Sequence, residues 1–304
     1  MNDSNKVTVL LAGFGGPESL DQVPAFVESV LGRVPPDHVV PAALARYEAI
    51  GGGSPLPATT RRQAVLVAEE LGRRGHDADV HVGMLHARPT IEETADRIRA
   101  ADVEDLVVIS LAPYRCEVST DAYEAAVEAA FGGGGPRLLF GPDWNLAPGY
   151  VDALAVRLAE ALEAAPQGTP VIFAAHSLPQ RMIDQGDPYA CQLADTAAEV
   201  ARRLGLDDWH LAYQSVSAAA REPWLGPSVE EVMERLAADG AAAVLVDPIG
   251  FISDHVETLY DNDVEHRVRA TALGLDFHRC LCLNEHPGLI GALADQVISI
   301  SADG

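Results

Sequence analysis

His176 closes the apolar run FAAHSLP (173–179), and Glu257, Asp261 and Glu265 recur at every fourth position within DPIGFISDHVETLYDNDVEHR (247–267). An imidazole accepts a proton near neutrality and ligates metals. Carboxylate oxygens suit hard and borderline divalent cations. On a helix the three acids share one face, one per turn, and repel each other by a few tenths of a kcal/mol per pair. Two readings of that row stand: a solvated face, and a line of oxygen ligands along which a cation is held or passed. His176 likewise admits two, a satisfied core histidine or a functional group, and its place where the run stops points to function. If both segments end at one cleft, His176 and Glu257 meet there. One imidazole and one carboxylate bind a divalent ion weakly and leave most of its positions open, which suits transfer rather than storage.

Other chemistries are excluded by spacing. Ser177 adjoins His176 but no GxSxG elbow exists, so a Ser–His hydrolase is not supported. GFGGPE (13–18) lacks the third glycine of a dinucleotide fingerprint and the acidic residue about 20 positions on, and there is no P-loop, so no nucleotide is expected. The glycines read instead as a tight turn that lets backbone approach something flat or close. Cys116, Cys191, Cys280 and Cys282 form no CxxC and no Cys/His zinc spacing. On a strand, Cys280 and Cys282 would share one face as a buried pair.

The elements that must position these residues alternate. Short apolar, β-branched runs lie at 7–12, 78–84, 106–111, 137–140, 170–175, 210–213, 243–247 and 275–280. Between them fall segments of helical period at 60–73, 90–100, 119–131, 150–164, 192–204, 229–238 and 256–273, with Ser253 or Asp254 placed to cap the last. Such alternation means βαβ units and parallel sheets. A break at 164–169 (AAPQGT) divides the strands four and four, and VVISLAPY (107–114) has a counterpart in VLVDPIGF (244–251), roughly 137 positions on. The fold class expected is α/β: two similar Rossmann-like lobes, 1–165 and 166–304, each a four-stranded parallel sheet flanked by helices, with a cleft between them. His176 and Glu257 then belong to the second lobe. Ligands bind outside the carboxyl ends of strands in such sheets.

The 304 residues carry 45 acidic and 21 basic side chains, a formal charge of −24, with 48% hydrophobic and 22% charged residues. That balance opposes binding to nucleic acid, which needs clustered Lys and Arg, and docking on an anionic membrane through a basic patch. No window approaches 18 uninterrupted apolar residues, and MNDSNKVTVLLAGFGG lacks a basic leader, so no integral membrane segment and a cytoplasmic location are expected.

Several motifs taken in order carry a resemblance: LLAGFGGPESLDQV (10–23), RYEAIGGGSPL (46–56), RRQA (61–64), AAHSLP (174–179), GDPY (186–189), YQS and EPWLGPS within 213–228, DPIGFISDHVETLYDND (247–263) and LNEHP (283–287). Together they span nearly the whole chain, which resembles the ferrochelatase family, most closely the bacterial type that inserts ferrous iron into coproporphyrin III. The resemblance implies a metal-inserting lyase of haem biosynthesis, with ferrous iron as substrate and a monomer in solution. It implies His176 as the histidine of the active centre and Glu257 as the carboxylate opposite it. Asp261 and Glu265 match acidic positions leading to an outer metal site, and Arg46 a basic residue beside it. Phe14, Ser54, Gln63, His86 and Tyr123 fall where relatives line the porphyrin cleft, and Trp224 lies in a turn expected to be structural. Phe14 replaces a tyrosine that can ligate metal in some relatives.

Substrate arginines are thinner than in relatives. The segment 30–33 reads VLGR with a single arginine, and PYRCEVS (113–119) puts Arg115 and Glu117 beside the expected ring site. Arginine is the natural partner of the four carboxylates of coproporphyrin, so Arg115 is the expected compensating contact. The same features suit a divergent paralogue acting on another tetrapyrrole or small molecule, or a non-catalytic tetrapyrrole or metal carrier. No C-terminal cysteine cluster is present, so no iron–sulfur cluster is expected. With His176 required uncharged, and an ordinary imidazole pKa near ~6.5, metal insertion should fall below about pH 6. A rate unchanged down to pH 5 in a steady-state assay would count against His176 as the base.

Overall fold

The computed structural model describes residues 6–216 and 221–303. Residues 1–5 of the N-terminal stretch, expected to lack a basic leader, lie outside them.

In chain order the first elements are β1 (Val7–Gly13), α1 (Val23–Leu31), α2 (Val39–Ala49), α3 (Leu56–Arg73), β2 (Ala78–Met84), α4 (Ile91–Ala100), β3 (Asp105–Ser110), α5 (Thr120–Phe131) and β4 (Arg137–Phe140). There follow α6 (Pro148–Ala164), β5 (Val171–His176), α7 (Gln180–Asp184), α8 (Tyr189–Leu204), β6 (Trp209–Gln214), α9 (Val229–Ala238) and β7 (Ala243–Asp247). A π-helix (Glu257–His266), α10 (Arg267–Ala272), β8 (Asp276–Arg279) and α11 (Pro287–Asp303) complete the chain.

The strands form two four-stranded parallel sheets, ordered β2-β1-β3-β4 and β6-β5-β7-β8. All eight expected strands are present. Their runs of Val, Ile, Leu and Ala are what a sheet covered on both faces requires: from Val9 to Ala12 and from Val171 to Ala175 every residue is at 0% exposure. In each sheet the first strand is flanked by the second and third, so the crossovers leave it in opposite directions and open a switch point at its carboxyl end. The second strand of each sheet leads into a helix closed by the same device. The Thr90 hydroxyl accepts from Glu93 N and the Glu93 carboxylate accepts from Thr90 N, both at 3.1 Å, at the start of α4. Ser228 and Glu231 repeat this reciprocal cap at α9. The weak repeat seen in the strand endings thus extends to helix capping.

The chain divides into two compact units, Met1–Trp144 with Asn284–Gly304, and Asn145–Leu283. The expected boundary at 165/166 differs from this division in two ways. Helix α6 belongs to the second unit, where Arg203 of α8 ion-pairs with Asp152 and donates to the Pro148 carbonyl at 3.4 Å. Helix α11 returns to the first unit, where Arg74 at the end of α3 bonds Asp295 at 2.5 Å. The glycine-containing break at 164–169 follows a crossover helix rather than preceding it, so composition marked a loop inside a unit instead of its edge. Cores form within each unit. Leu10, Ile91, Ile98, Val108 and Phe131 gather in the first, and Ile172, Val232, Met233, Val246 and Phe277 in the second. Cys280 and Cys282 are buried, as expected of them, though β8 ends at Arg279 just before them.

The largest correction concerns 256–273, expected as one α-helix. Glu257–His266 is a π-helix, and the α-helix is confined to Arg267–Ala272 after it. Nor do Ser253 or Asp254 cap it: the preceding residue is Val256, without a side-chain cap, and Asp254 pairs with Arg279 at 3.1 Å. The Gln214 amide donates to the Glu257 carbonyl at 2.7 Å, and Asn262, five residues on, reaches the same carbonyl at 3.5 Å. A side chain inserted into the ladder favours i→i+5 bonding and widens the turn.

One core residue is costly. Asp247, the last of β7, is 3% exposed, and its Oδ2 has no hydrogen-bond partner among the described residues. Burial, only partly offset by a hydrogen bond from Cys280, raises its pKa from 3.8 to about 7. Between those values the native state holds a proton that the unfolded chain releases, so this group makes stability fall as pH rises from about 4 to 7. Asp247→Asn should therefore be more stable than the parent at pH 8 by on the order of 4 kcal/mol, with no gain at pH 4, in urea denaturation followed at both pH values.

Candidate active site

His176 ends β5, the first strand of the second sheet, at its switch point. Its Nδ1 is turned on the Ser177 carbonyl, which can only accept, so this nitrogen carries a hydrogen and Nε2 is the nitrogen turned to Glu257. The residues around it serve position. Tyr189 Oη donates to the His176 carbonyl at 3.0 Å. Ser177 is wholly buried and donates to the Leu225 carbonyl at 2.8 Å, which removes it as a nucleophile. The Pro223–Leu225 turn is bonded to the loop after β5 through Gln180 N to Pro223 O at 2.9 Å and Leu225 N to Leu178 O at 2.8 Å. That turn sets the Trp224 ring 6.4 Å from the His176 ring, tilted by 40°.

Glu257 reaches His176 by way of the loop after β7. Gly250 N donates to Ala174 O at 3.1 Å, and a β-carbon at Gly250 would lie 2.6 Å from that of Ala175. Only glycine lets the loop lie this close to β5. From there the chain enters the π-helix and sets Glu257 Oε1 3.4 Å from His176 Nε2. The other oxygen, Oε2, lies 3.6 Å from Nε2 of His255. His255 mirrors His176: its Nδ1 faces the Ser253 carbonyl at 3.2 Å and its ring rests 4.7 Å from Phe251. One carboxylate thus lies between two imidazoles whose Nδ1 atoms are both occupied by backbone. Burial works against the charge on Glu257, but His176 and His255 prevail and hold its carboxyl well below the ordinary range. It is an anion throughout the neutral and moderately acid range.

Asp261 is 3% exposed and accepts from Ser215 Oγ. Glu265 is exposed on the π-helix. The far end of that helix is tied down by His266, 2% exposed, whose Nε2 lies 3.3 Å from Glu230 of α9 and whose Nδ1 lies 2.9 Å from Asn262 Oδ1. That contact holds the Glu230 carboxyl at about 2.

The remaining candidates lie in the first unit. Phe14, just past β1, meets His86 edge-on at 4.7 Å, and Phe26 stands 6.3 Å from Phe14 and 6.4 Å from His86. The two turns are zipped by Leu85 N to Gly13 O and His86 N to Phe14 O. Gly15 (φ +89°) permits this, since a β-carbon there would sit 2.6 Å from that of Ala87. Burial lowers the pKa of His86, whose Nδ1 is 2.9 Å from Ser29 Oγ, so its ring is uncharged near neutrality. Ser54 is buried against Gly16, and Gln63, fully buried, donates to the Asn284 carbonyl at 2.7 Å. Tyr123 is 4% exposed inside the apolar core, where burial pushes its phenol up. Arg46 occupies the last turn of α2.

Arg115 is engaged with protein carboxylates. Its guanidinium bonds Asp143 at 2.7 Å, Glu124 at 2.8 Å and Asp121. Hydrogen bonds to Glu124, foremost, and to Asp143 drive its pKa up, against burial. The sequence offered Arg115 as a partner for substrate carboxylates; the structure gives it three of the protein's own. Asp121 and Glu124 follow it within ten residues, which was the available signal. Spacing also missed His255, two residues before Glu257, because i and i+2 point apart on a helix. They converge because His255 precedes the helix. Gln214, the last residue of β6, and Ser215 just past it fell within the YQS motif, but no spacing tied them to the acids of 257–265, which they meet across the sheet.

Chemically, the second unit presents a neutral-capable base with a fixed tautomer, an ionised carboxylate facing it, and further acids along a helix. Among the described residues no group of three His, Cys, Asp or Glu side chains is arranged to hold a metal ion, and no helix is long and apolar enough to cross a membrane. Arg115→Gln should lower stability by on the order of 2 kcal/mol, leaving three carboxylates uncompensated. It should leave the KM for a porphyrin unchanged; a raised KM at unchanged stability would return Arg115 to substrate binding.

Comparison with known proteins agrees with this geometry. The family model described as Ferrochelatase matches residues 6–300. A ferrochelatase of Deinococcus radiodurans is 35% identical, over 98% of this chain and 96% of that protein. A coproporphyrin III ferrochelatase of Anoxybacillus flavithermus is 34% identical, over 97% of each. Among solved structures, SirB from Bacillus subtilis with Fe3+ has a TM-score of 0.60 at 13% identity, over 98% of this chain and 96% of that one, a likeness of fold. With the family matched along nearly its whole length and the two-sheet fold of the chelatases, this chain belongs to the ferrochelatase family and is a metal chelatase.

Proposed function

We propose that this chain inserts ferrous iron into a porphyrin, coproporphyrin III by preference, in haem biosynthesis, acting as a cytoplasmic monomer. The observation that supports it most is the His176 Nε2–Glu257 Oε1 pair at 3.4 Å on the switch point of the second sheet. Insertion exchanges two pyrrole N–H protons for one divalent ion and strips that ion of water. His176, with Nδ1 held by the Ser177 carbonyl, accepts a proton at Nε2. Glu257, already anionic, stabilises the imidazolium that results. His176 and Glu257 are also the donors the ion meets, and Asp261 and Glu265 extend the acid row along which it arrives, with Arg46 as the basic residue assigned beside the outer position. Phe14, Ser54, Gln63 and His86 are the first unit's candidates for contact with the macrocycle. Rigid side chains favour a bent ring by binding it more tightly than the flat one. The reaction needs no nucleotide and no iron–sulfur cluster.

A second reading has one observation behind it. Because Arg115 is engaged by Asp121, Glu124 and Asp143, a tetrapyrrole with fewer carboxylates than coproporphyrin III gains relative to it. Anaerobic incubation with Fe2+ and either coproporphyrin III or protoporphyrin IX, followed by absorption spectra, separates the readings. Faster metallation of coproporphyrin III supports the first, and faster metallation of protoporphyrin IX the second. Stoichiometric porphyrin binding without insertion would indicate a carrier. His176→Ala should lower turnover by on the order of 10²–10⁴ with an unchanged melting temperature.

A further inference from the structure

The end of β6 holds two neighbouring residues that each grip one acid of the π-helix. Gln214, 2% exposed, donates to the Glu257 carbonyl at 2.7 Å, and Ser215 donates through Oγ to Asp261 Oδ2. Gln214 stands in register with His176 on the adjacent strand, so its grip fixes Glu257 relative to the histidine it faces. Ser215 is unusual in its backbone. Its φ is +63°, the left-handed region that a non-glycine residue enters only at a cost. This turn carries Oγ away from the strand and onto Asp261. Glycine would occupy the position with less strain but would lack the hydroxyl.

We propose that Ser215 is a positioning residue for the metal side of the site: its left-handed turn presents a hydroxyl that fixes the Asp261 carboxylate, and with Gln214 it sets the separation of Asp261 and Glu257 along the widened helix. This inference rests on the metal-insertion reading above. A carboxylate fixed by a neighbouring donor meets an arriving cation without first having to be ordered, and loss of such supporting partners typically costs roughly 10–100-fold in metal affinity or activity.

Ser215→Gly separates function from strain. It should keep or raise the melting temperature, since the backbone conformation suits glycine. It should raise the KM for Fe2+ about tenfold or more and leave the KM for the porphyrin unchanged. Ser215→Ala, which loses the hydroxyl and retains the strain, should show the same change in metal KM. A titration with Co2+ alone, followed by its absorption spectrum, gives a readout without the macrocycle, and both variants should bind more weakly than the parent. Unchanged metal KM and Co2+ affinity in both variants would overturn the proposal. A raised porphyrin KM with normal metal parameters would also overturn it by assigning the hydroxyl to the macrocycle. A parent protein that inserts iron while the variants do so equally well refutes Ser215 alone. A parent that neither binds Co2+ nor inserts iron refutes the functional reading and this inference together.

Discussion

The approach of the β7 loop to the end of β5 sets the spacing on which the second unit's chemistry depends. Gly250 lies so close to Ala175 that any β-carbon would overlap it, and its N–H is bonded to Ala174 O. That contact is made one strand-end away from His176. It fixes where the chain begins its next helix, and so how far Glu257 stands from the imidazole. Without it, a carboxylate ten residues beyond β7 would have no reason to arrive at 3.4 Å. Because the contact is backbone against backbone, a change of rotamer cannot relieve it.

The widened helix is the second constraint. Acids at every fourth position on an α-helix form a stripe, but here the first ten residues bond i→i+5, and two side chains act on the first carbonyl. Anchors lie along it: Gln214 at its first residue, Ser215 at Asp261 in its middle, and His266 with Glu230 and Asn262 at its far end. A helix held in the less common of two bonding patterns needs such over-determination. It presents a buried Asp261 and an exposed Glu265, so the acid row runs from interior to solvent.

Charge is distributed in a way that the total of −24 conceals. Part of the acid is engaged within the protein, as in the group of Asp121, Glu124 and Asp143 around Arg115, and Asp254 and Asp263 around Arg279. Guanidinium groups tied in this way orient loops and are withdrawn from recognition of carboxylated ligands. Asp247 is the opposite case, an acid without a cation, pushed by burial toward its neutral form.

The strand–helix alternation, the eight apolar runs, and the residue types of the site were legible in the sequence because they follow from local period and from the chemistry of single side chains. His176 at a strand end and the acids of 257–265 could be named from position alone. What tertiary structure decided was convergence and availability. Whether His255 joins Glu257, whether Arg115 is free, where one unit ends, and which helical pattern spaces the acids all depend on contacts between residues far apart in the chain. Gln214 acts on Glu257 from 43 positions away, and Ser215 on Asp261 from 46. The helix pattern in 256–273 departs from the sequence periodicity for the same reason: periodicity encodes the face a helix would show if left alone. The bond that widens it comes from a different strand.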